Sequence, residues 1–259
     1  MIDSHCHLDA KAYGDDAAVD EVVARARAAG VERMVTVGSG YGFDSAARAL
    51  ATARRHPDCL RATVGLHPHD AKDFTDESFA DLLAMAASPA VVALGEMGLD
   101  FHYDNSPRDV QRAVFREQIR AARGLRLPIV VHDRDSDGET TRILDEEAAW
   151  DTGVLFHCYT GDVAMMEAIV SRGGLVSIPG IVTFKNADVM RAVAAAVPED
   201  RFLIETDSPF LAPIPHRGKK NEPAYVTLVA AKIAELRGST AAEVGAVAAA
   251  NTRRLFGWA

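Results

Sequence analysis

The chain has 259 residues, of which 48% are hydrophobic and 25% are charged, an ordinary composition for a globular protein. Its 28 Lys and Arg residues face 37 Asp and Glu residues, so the formal net charge is −9. Such an acidic surface has no general attraction for nucleic acid or for an anionic membrane. Any polyanionic substrate must therefore be held by a local basic patch or by bound metal.

Cysteine usage and the N-terminal residues both favour a reducing compartment. Cys6, Cys59 and Cys158 lie far apart and include no C-x-x-C pair, which argues against a disulfide scaffold. The N-terminus has no cationic stretch followed by an apolar core, and the longest uncharged run, 82–95, is too short to cross a bilayer. We therefore expect a cytoplasmic protein that does not enter the membrane, with no obligate protein partner evident.

Short β-branched runs alternate with Ala-rich, charged segments along the whole chain. The runs predicted to be strands span residues 1–4, 33–37, 60–65, 91–95, 128–131, 153–156, 174–178 and 201–205. The predicted helices that follow them span 16–29, 42–55, 75–87, 107–124, 138–147, 162–172, 187–196 and 222–237, with a further one near 240–255. The fourth helix has the clearest start, because Ser106 can cap it and Pro107 suits its first position.

Repeated βα units of this kind, eight in about 250 residues, are typical of a TIM barrel. No stretch has the composition of a linker, a repeat or a second domain. The alternative, an open doubly wound sheet, would need a glycine-rich phosphate loop after the first strand. The chain has His5-Cys6-His7 there instead. We therefore predict an α/β fold, a (β/α)8 TIM barrel, with a single domain over residues 1–259.

The active site of such a barrel lies at the carboxyl ends of its strands, and the histidines of this chain gather there. His5 and His7 end the first strand and, being two residues apart, would share one face of it. A lone His-x-His pair is a weak signal. However, every other histidine except His56 also follows a predicted strand or lies in the loop beyond it, which indicates a shared site.

The available side chains favour a pair of divalent metal ions. Imidazole and carboxylate ligands without thiolate suit Zn²⁺, Mn²⁺, Co²⁺ or Mg²⁺ and disfavour a closed structural zinc site. More than four candidate ligands indicate two ions that share a carboxylate, as in phosphatases and nucleases. Glu96, which follows the fourth predicted strand, is the natural bridge because its carboxylate has two oxygens.

The chain resembles the TatD-type metal-dependent deoxyribonucleases over its whole length. The motifs that carry this resemblance are His5-Cys6-His7, Gly95-Glu96-Met97-Gly98-Leu99-Asp100, His132, His157-Cys158-Tyr159 and Glu205-Thr206-Asp207-Ser208-Pro209. The resemblance implies a TIM barrel of the metal-dependent hydrolase superfamily. It implies one ion held by His5, His7, Glu96 and Asp207, and a second held by Glu96, His132 and His157. Asp207 would also orient or deprotonate the attacking water, and His67 would lie near the substrate phosphate.

Two further carboxylates are predicted to lie just below the ligands. Asp3 and Glu205 stand two residues before His5 and Asp207, so both should face the barrel interior. A buried carboxylate is costly without a partner, and we expect each to accept a hydrogen bond that orients a ligand or an adjacent polar group. The alternative is an ordinary buried salt bridge.

Substrate contacts are predicted in the loops around the same rim. Arg217 and Lys219 lie in the basic loop 214–221 after the eighth strand and, with Arg134, form a candidate phosphate-binding patch. His69 is predicted to be an ordinary loop histidine. Tyr103, with its neighbour His102, is either a surface residue or a contact for a base or sugar.

The function predicted from these features is hydrolysis of DNA phosphodiester bonds by a metal-activated water at a binuclear site. One alternative is a metal-dependent amidohydrolase or lactonase that acts on a small molecule with the same barrel. Many such relatives bridge their metals with a modified lysine on the fourth strand, so Glu96 at that place favours the deoxyribonuclease. The other is a metal-binding protein without catalytic activity, which the full set of candidate ligands disfavours.

Overall fold

Eight parallel strands form the barrel, as a computed structural model of the chain shows. The structure describes residues 1–40 and 42–258, with the side chain of Ala10 left out. The strands are β1 (Ile2–Cys6), β2 (Arg33–Gly38), β3 (Leu60–Val64), β4 (Val91–Asp100), β5 (Ile129–Arg134), β6 (Val154–Phe156), β7 (Leu175–Ile178) and β8 (Phe202–Ile204). Their order in the sheet follows the sequence, which confirms the predicted fold class.

The barrel closes where β1 meets the residues after β8. Cys6 and Ser208 form a parallel bridge, and the backbone N–H of His7 donates to the Ser208 carbonyl at 2.7 Å. The N–H of Asp207 donates to the His5 carbonyl at 3.0 Å. These contacts therefore place His5 and His7, the first candidate ligands in the sequence, beside Asp207, the last one.

Helices surround the strands within the described residues. They are α1 (Ala10–Tyr13), α2 (Asp16–Ala28), α3 (Asp44–Arg55), α4 (Asp76–Ala86), α5 (Arg108–Leu125), α6 (Glu139–Glu146), α7 (Val163–Ser171), α8 (Asp188–Ala196), α9 (Val226–Arg237) and α10 (Ala241–Phe256). Only the short α1 was not predicted. In the part of the chain that the structure describes, no helix is long and apolar enough to cross a membrane.

The start of α5 differs from the prediction. Pro107 occupies the position before the helix, and no side chain caps the first turn. The Ser106 hydroxyl instead donates to the His69 carbonyl at 2.8 Å and accepts from the Lys72 N–H at 3.1 Å. The cap prediction was wrong because this hydroxyl joins two loops of the rim.

Strand β4 runs five residues further than predicted, and a bulge at Glu96 makes this possible. Gly95 pairs with Val130 and Met97 with Val131, so Glu96 is an extra residue in the ladder. Gly98 has a φ of 149°, and a Cβ there would lie 1.9 Å from the His132 carbonyl oxygen. The close approach to β5 therefore requires glycine, and the bulge turns the Glu96 side chain into the site.

Candidate metal centre

The end of β1 supplies two imidazoles that face two carboxylates. The Nε2 atom of His5 lies 3.7 Å from both Glu96 Oε2 and Asp207 Oδ1. The Nε2 atom of His7 lies 3.9 Å and 3.5 Å from the same two oxygens. Cys6 points the other way, and its thiol donates to the Val35 carbonyl at 3.3 Å. The structure thus brings together all four residues predicted for one ion.

The other oxygen of Glu96 faces a second group of histidines. Glu96 Oε1 lies 2.8 Å from His132 Nδ1, 2.7 Å from His157 Nε2 and 3.3 Å from His67 Nε2. His132 and His157 are the residues predicted for the second ion. The Glu96 side chain is only 4% exposed and turns one carboxylate oxygen toward each group.

Burial and neighbouring groups shift the pKa values of Glu96 and His5 in the direction that favours binding of a cation. Burial alone would raise the pKa of Glu96, but the imidazoles of His157, His67 and His132 hold that pKa well below its usual range. Burial, with the nearby His157, lowers the pKa of His5 well below its ordinary value. Metal binding needs an ionised carboxylate and neutral imidazoles, which are the protonation states these shifts favour for Glu96 and His5.

The distances within the first group suit shared binding of a metal ion better than direct hydrogen bonds between its residues. His5 is fully buried, yet neither of its ring nitrogens has a hydrogen-bond partner. Buried polar atoms are normally paired, so these two nitrogens require an explanation. The 3.5–3.9 Å separations are too long for hydrogen bonds. They suit ligands of one ion, because ligand bonds of about 2.0–2.2 Å leave neighbouring ligand atoms roughly 3–4 Å apart.

The predicted supporting carboxylates are both buried below the ligands, but they act differently. Asp3 accepts from the backbone N–H groups of His5 at 3.3 Å and Thr206 at 2.9 Å, and from the Thr206 hydroxyl at 2.6 Å. These three bonds fix the seam between β1 and the residues after β8, and none of them goes to an imidazole ring. Glu205 accepts from the Cys158 N–H at 2.7 Å and lies 3.6 Å from His157 Nδ1, beside a candidate ligand.

Asp100 is a supporting residue to which the sequence assigned no role. Its Oδ2 atom lies 3.1 Å from His132 Nε2 and 2.9 Å from His69 Nε2. Burial would lower the pKa of His132, but hydrogen bonds to Asp100 and Glu96 raise it. The prediction that His69 is an ordinary loop histidine is therefore wrong. The sequence did contain a sign of this role, because Asp100 follows Glu96 by four residues. The predicted strand ended at residue 95, too early to include it.

His67, which was predicted to lie near the substrate phosphate, also lies within 3.3 Å of two candidate ligands. Its Nε2 atom is 3.3 Å from both Glu96 Oε1 and His132 Nδ1, and burial lowers its pKa to about 4. A neutral imidazole in this position can bind a cation or donate to a phosphate oxygen. The structure thus gives His67 a second candidate role, as a ligand.

The three predicted basic contacts are exposed and are not among the candidate ligands. The Arg134 guanidinium lies 5.1 Å from the centre of the Tyr103 ring, and that of Arg217 lies 3.8 Å from the centre of the Phe184 ring. The Lys219 N–H donates to the His216 carbonyl at 3.0 Å. The stacked guanidiniums keep their charge available to solvent and to an anion.

Comparison with known proteins identifies the family to which this arrangement belongs. The sequence model described as "TatD related DNase" matches residues 2–257. The chain is 43% identical over 256 residues to the "Uncharacterized metal-dependent hydrolase YabD" of Bacillus subtilis (strain 168), covering 99% of this chain and 98% of that protein. It is 38% identical over 243 residues to the "3'-5' ssDNA/RNA exonuclease TatD" of Cronobacter sakazakii, covering 92% of this chain and 91% of that one.

A solved structure supports the same assignment. The crystal structure of the TatD homolog YjjV of Escherichia coli superposes with a TM-score of 0.90 at 29% identity, covering 100% of this chain and 98% of that one. The chain therefore belongs to the family of TatD-related DNases.

Proposed function

We propose that the chain hydrolyses phosphodiester bonds of DNA at two divalent metal ions, one on each side of Glu96. The observation that carries this proposal is the placement of the Glu96 carboxylate. One oxygen faces the nitrogens of His5 and His7, and the other faces those of His132 and His157. A carboxylate shared in this way suits a pair of ions that clamps the attacking and leaving oxygens of a phosphoryl transfer.

We propose the same division of the candidate ligands that the family resemblance implies. His5, His7 and Asp207, with Glu96, would hold one ion, while His132 and His157, with Glu96, would hold the other. Zn²⁺, Mn²⁺, Co²⁺ and Mg²⁺ all accept subsets of these nitrogen and oxygen ligands. When bound, the ions would lower the pKa of water and polarise a phosphoryl oxygen.

Asp207 is the proposed proton acceptor. Its side chain is 12% exposed, against 4% for Glu96, so it is the more accessible of the two carboxylates. Its Oδ1 atom faces both His5 and His7, which places it beside the first candidate site. A carboxylate in this position can orient the attacking water and take its proton. Asp3 and Glu205 would keep the strand ends and His157 in place, as described above.

The substrate assignment rests on relatives and on local charge. Relatives named as exonucleases of single-stranded DNA and RNA support a nucleic acid substrate. We propose that Arg134, Arg217 and Lys219, with His67, contact the phosphates, because the protein is otherwise acidic. The unpaired thiols of Cys6, Cys59 and Cys158 agree with action in the cytoplasm, which we also propose.

The test is incubation of metal-depleted protein with end-labelled single- and double-stranded DNA, restoring one divalent metal at a time. We expect cleavage with at least one metal and none with Glu96→Ala or Asp207→Ala, which excludes a contaminating nuclease. If DNA survives with every metal while a small ester, lactone or amide is hydrolysed, the small-molecule alternative is correct.

A further inference from the structure

Two exposed aromatic rings, those of Tyr103 and Phe210, are linked by ring contacts to the candidate metal centre. The sequence left Tyr103 as either a surface residue or a contact for a base or sugar, and it gave Phe210 no role. We propose that Tyr103 and Phe210 stack on unpaired nucleobases on either side of the bond that is cleaved. This inference rests on the proposed nuclease function and identifies how that same site would select its substrate.

The two rings are joined by a continuous row of ring contacts that passes through the candidate ligands. The Tyr103 ring meets that of His69 edge-on at 5.6 Å between centroids, and His69 lies 6.2 Å from His132. At the other end, the Phe210 ring meets that of His7 edge-on at 5.9 Å. The remaining contacts of the row join His132 to His157, His157 to His5, and His5 to His7. A phosphate at the metal centre would thus lie beside a row of rings that leads to Tyr103 in one direction and to Phe210 in the other.

Each ring is carried by a turn fixed to a carboxylate residue at the end of a strand. Tyr103 follows Asp100 by three residues, and its backbone N–H donates to Asp100 Oδ1 at 2.8 Å. Phe210 follows Asp207 by three residues, and its N–H donates to the Asp207 carbonyl at 2.9 Å. The buried Asn221 also donates to the Phe210 carbonyl, at 2.6 Å. The backbone that carries each ring is therefore held in place relative to Asp100 or Asp207.

Exposure and charge around the rings suit a base-stacking role. Tyr103 is 56% exposed and Phe210 is 47% exposed, so about half of each large side chain is accessible to solvent. A single exposed apolar residue is unremarkable, but these two both contact histidines of the candidate site. Arg134 lies over the Tyr103 ring, which places a positive charge beside the proposed base contact. Aromatic platforms with nearby positive charge are the common means of binding single strands.

The arrangement predicts a preference for single strands. A base can stack on a side chain only when it has left its own helical stack, which duplex DNA opposes. Because every base has an aromatic face, the contact would be tolerant of sequence. The rings would thus select unpaired nucleic acid without selecting particular bases.

The experiment removes the ring from the enzyme and the base from the substrate, separately and together. Tyr103→Ala and Phe210→Ala are each assayed on a single-stranded oligonucleotide and on one with abasic residues beside the cleaved bond. Each variant should raise KM for the intact strand roughly 5- to 150-fold, with a smaller change in kcat. On the strand whose abasic residue faces the missing ring, the variant and the wild type should have nearly equal KM. Tyr103→Phe and Phe210→Tyr should restore the wild-type KM.

A matched control and a binding readout separate this inference from the proposed function. Leu125 is 40% exposed at the carboxyl end of α5, away from the strand ends that carry the site, so Leu125→Ala should change nothing. Fluorescence anisotropy of a labelled oligonucleotide with metal-depleted protein measures binding without cleavage. Weaker binding by both ring variants supports the stacking role even if no DNA is cut. The absence of cleavage would refute only the nuclease proposal. If the wild type cleaves DNA but the ratio of variant KM to wild-type KM is the same on the intact strand and on the abasic strand, the stacking inference alone is overturned.

Discussion

Asp100→Asn is expected to weaken metal binding without unfolding the protein, because it would move a proton on His132. The Asp100 carboxylate lies 3.1 Å from His132 Nε2, while His132 Nδ1 lies 2.8 Å from Glu96 Oε1. In the wild type, an N–H at Nε2 can donate to Asp100, which leaves Nδ1 free of a proton and able to bind metal. An Asn side chain can keep its oxygen on the backbone N–H groups of the next turn and present its NH₂ group to Nε2. His132 must then accept at Nε2 and carry its proton on Nδ1.

The size of the effect follows from what the substitution changes. Loss of such a supporting partner typically lowers metal affinity about 10- to 100-fold, equivalent to about 1.4–2.7 kcal/mol. The free energy of unfolding of the metal-free protein should change by only about 1 kcal/mol. The reason is that the bonds from the His102 and Tyr103 N–H groups to Asp100 Oδ1, at 3.0 and 2.8 Å, can be kept.

Calorimetric titration of metal-depleted protein with Mn²⁺ or Co²⁺ measures this effect, and urea unfolding measures stability. Asp133→Asn is the matched control, because Asp133 is adjacent to His132 in sequence but its carboxylate accepts from the Thr140 hydroxyl at 2.9 Å. The control should bind metal as the wild type does. Wild-type affinity and stoichiometry in Asp100→Asn would refute the tautomer argument.

Three further predictions follow from the same geometry. Glu96→Gln should lower DNA cleavage by at least about 100-fold and weaken both ion sites, which metal analysis would show; loss of only one ion would argue against a shared carboxylate. Asp3→Ala should lower the free energy of unfolding of the metal-free protein by about 3 kcal/mol, because three buried hydrogen bonds are lost. Asp3→Asn should recover most of that loss in urea unfolding, and equal effects of the two variants would contradict the assignment. The double variant Arg217→Ala with Lys219→Ala should raise KM for DNA and flatten its dependence on salt, with little change in kcat; an unchanged salt dependence would exclude phosphate contacts there.

The barrel could be predicted from the sequence because its elements repeat a simple pattern. Most strands contain a short apolar run, and the nine longer helices among the described residues follow recognisable helical segments, so the element order alone indicated the fold. The positions after the strands then indicated which polar residues would meet. This is why His5, His7 and Glu96 were expected to lie together before any distance was known.

The details that were missed depend on contacts between distant loops. The bulge that turns Glu96 inward arises from the packing of β4 against β5, which no local pattern encodes. The hydrogen bond from His69 to Asp100 spans 31 residues and depends on β4 continuing past Gly95. Asp3 was expected to lie below the ligands. Its hydrogen-bond partner Thr206 could not be predicted, because closure of the barrel brings the two residues together.

The most direct test of a shared carboxylate is the location of the ions themselves. Crystals of the protein grown with Mn²⁺ or Zn²⁺ would be measured by anomalous diffraction at the metal edge. We predict two anomalous peaks per chain, one between Glu96 and the pair His5 and His7, and the other between Glu96 and the pair His132 and His157. A single peak, or peaks that do not contact Glu96, would contradict the binuclear centre on which the proposed function rests.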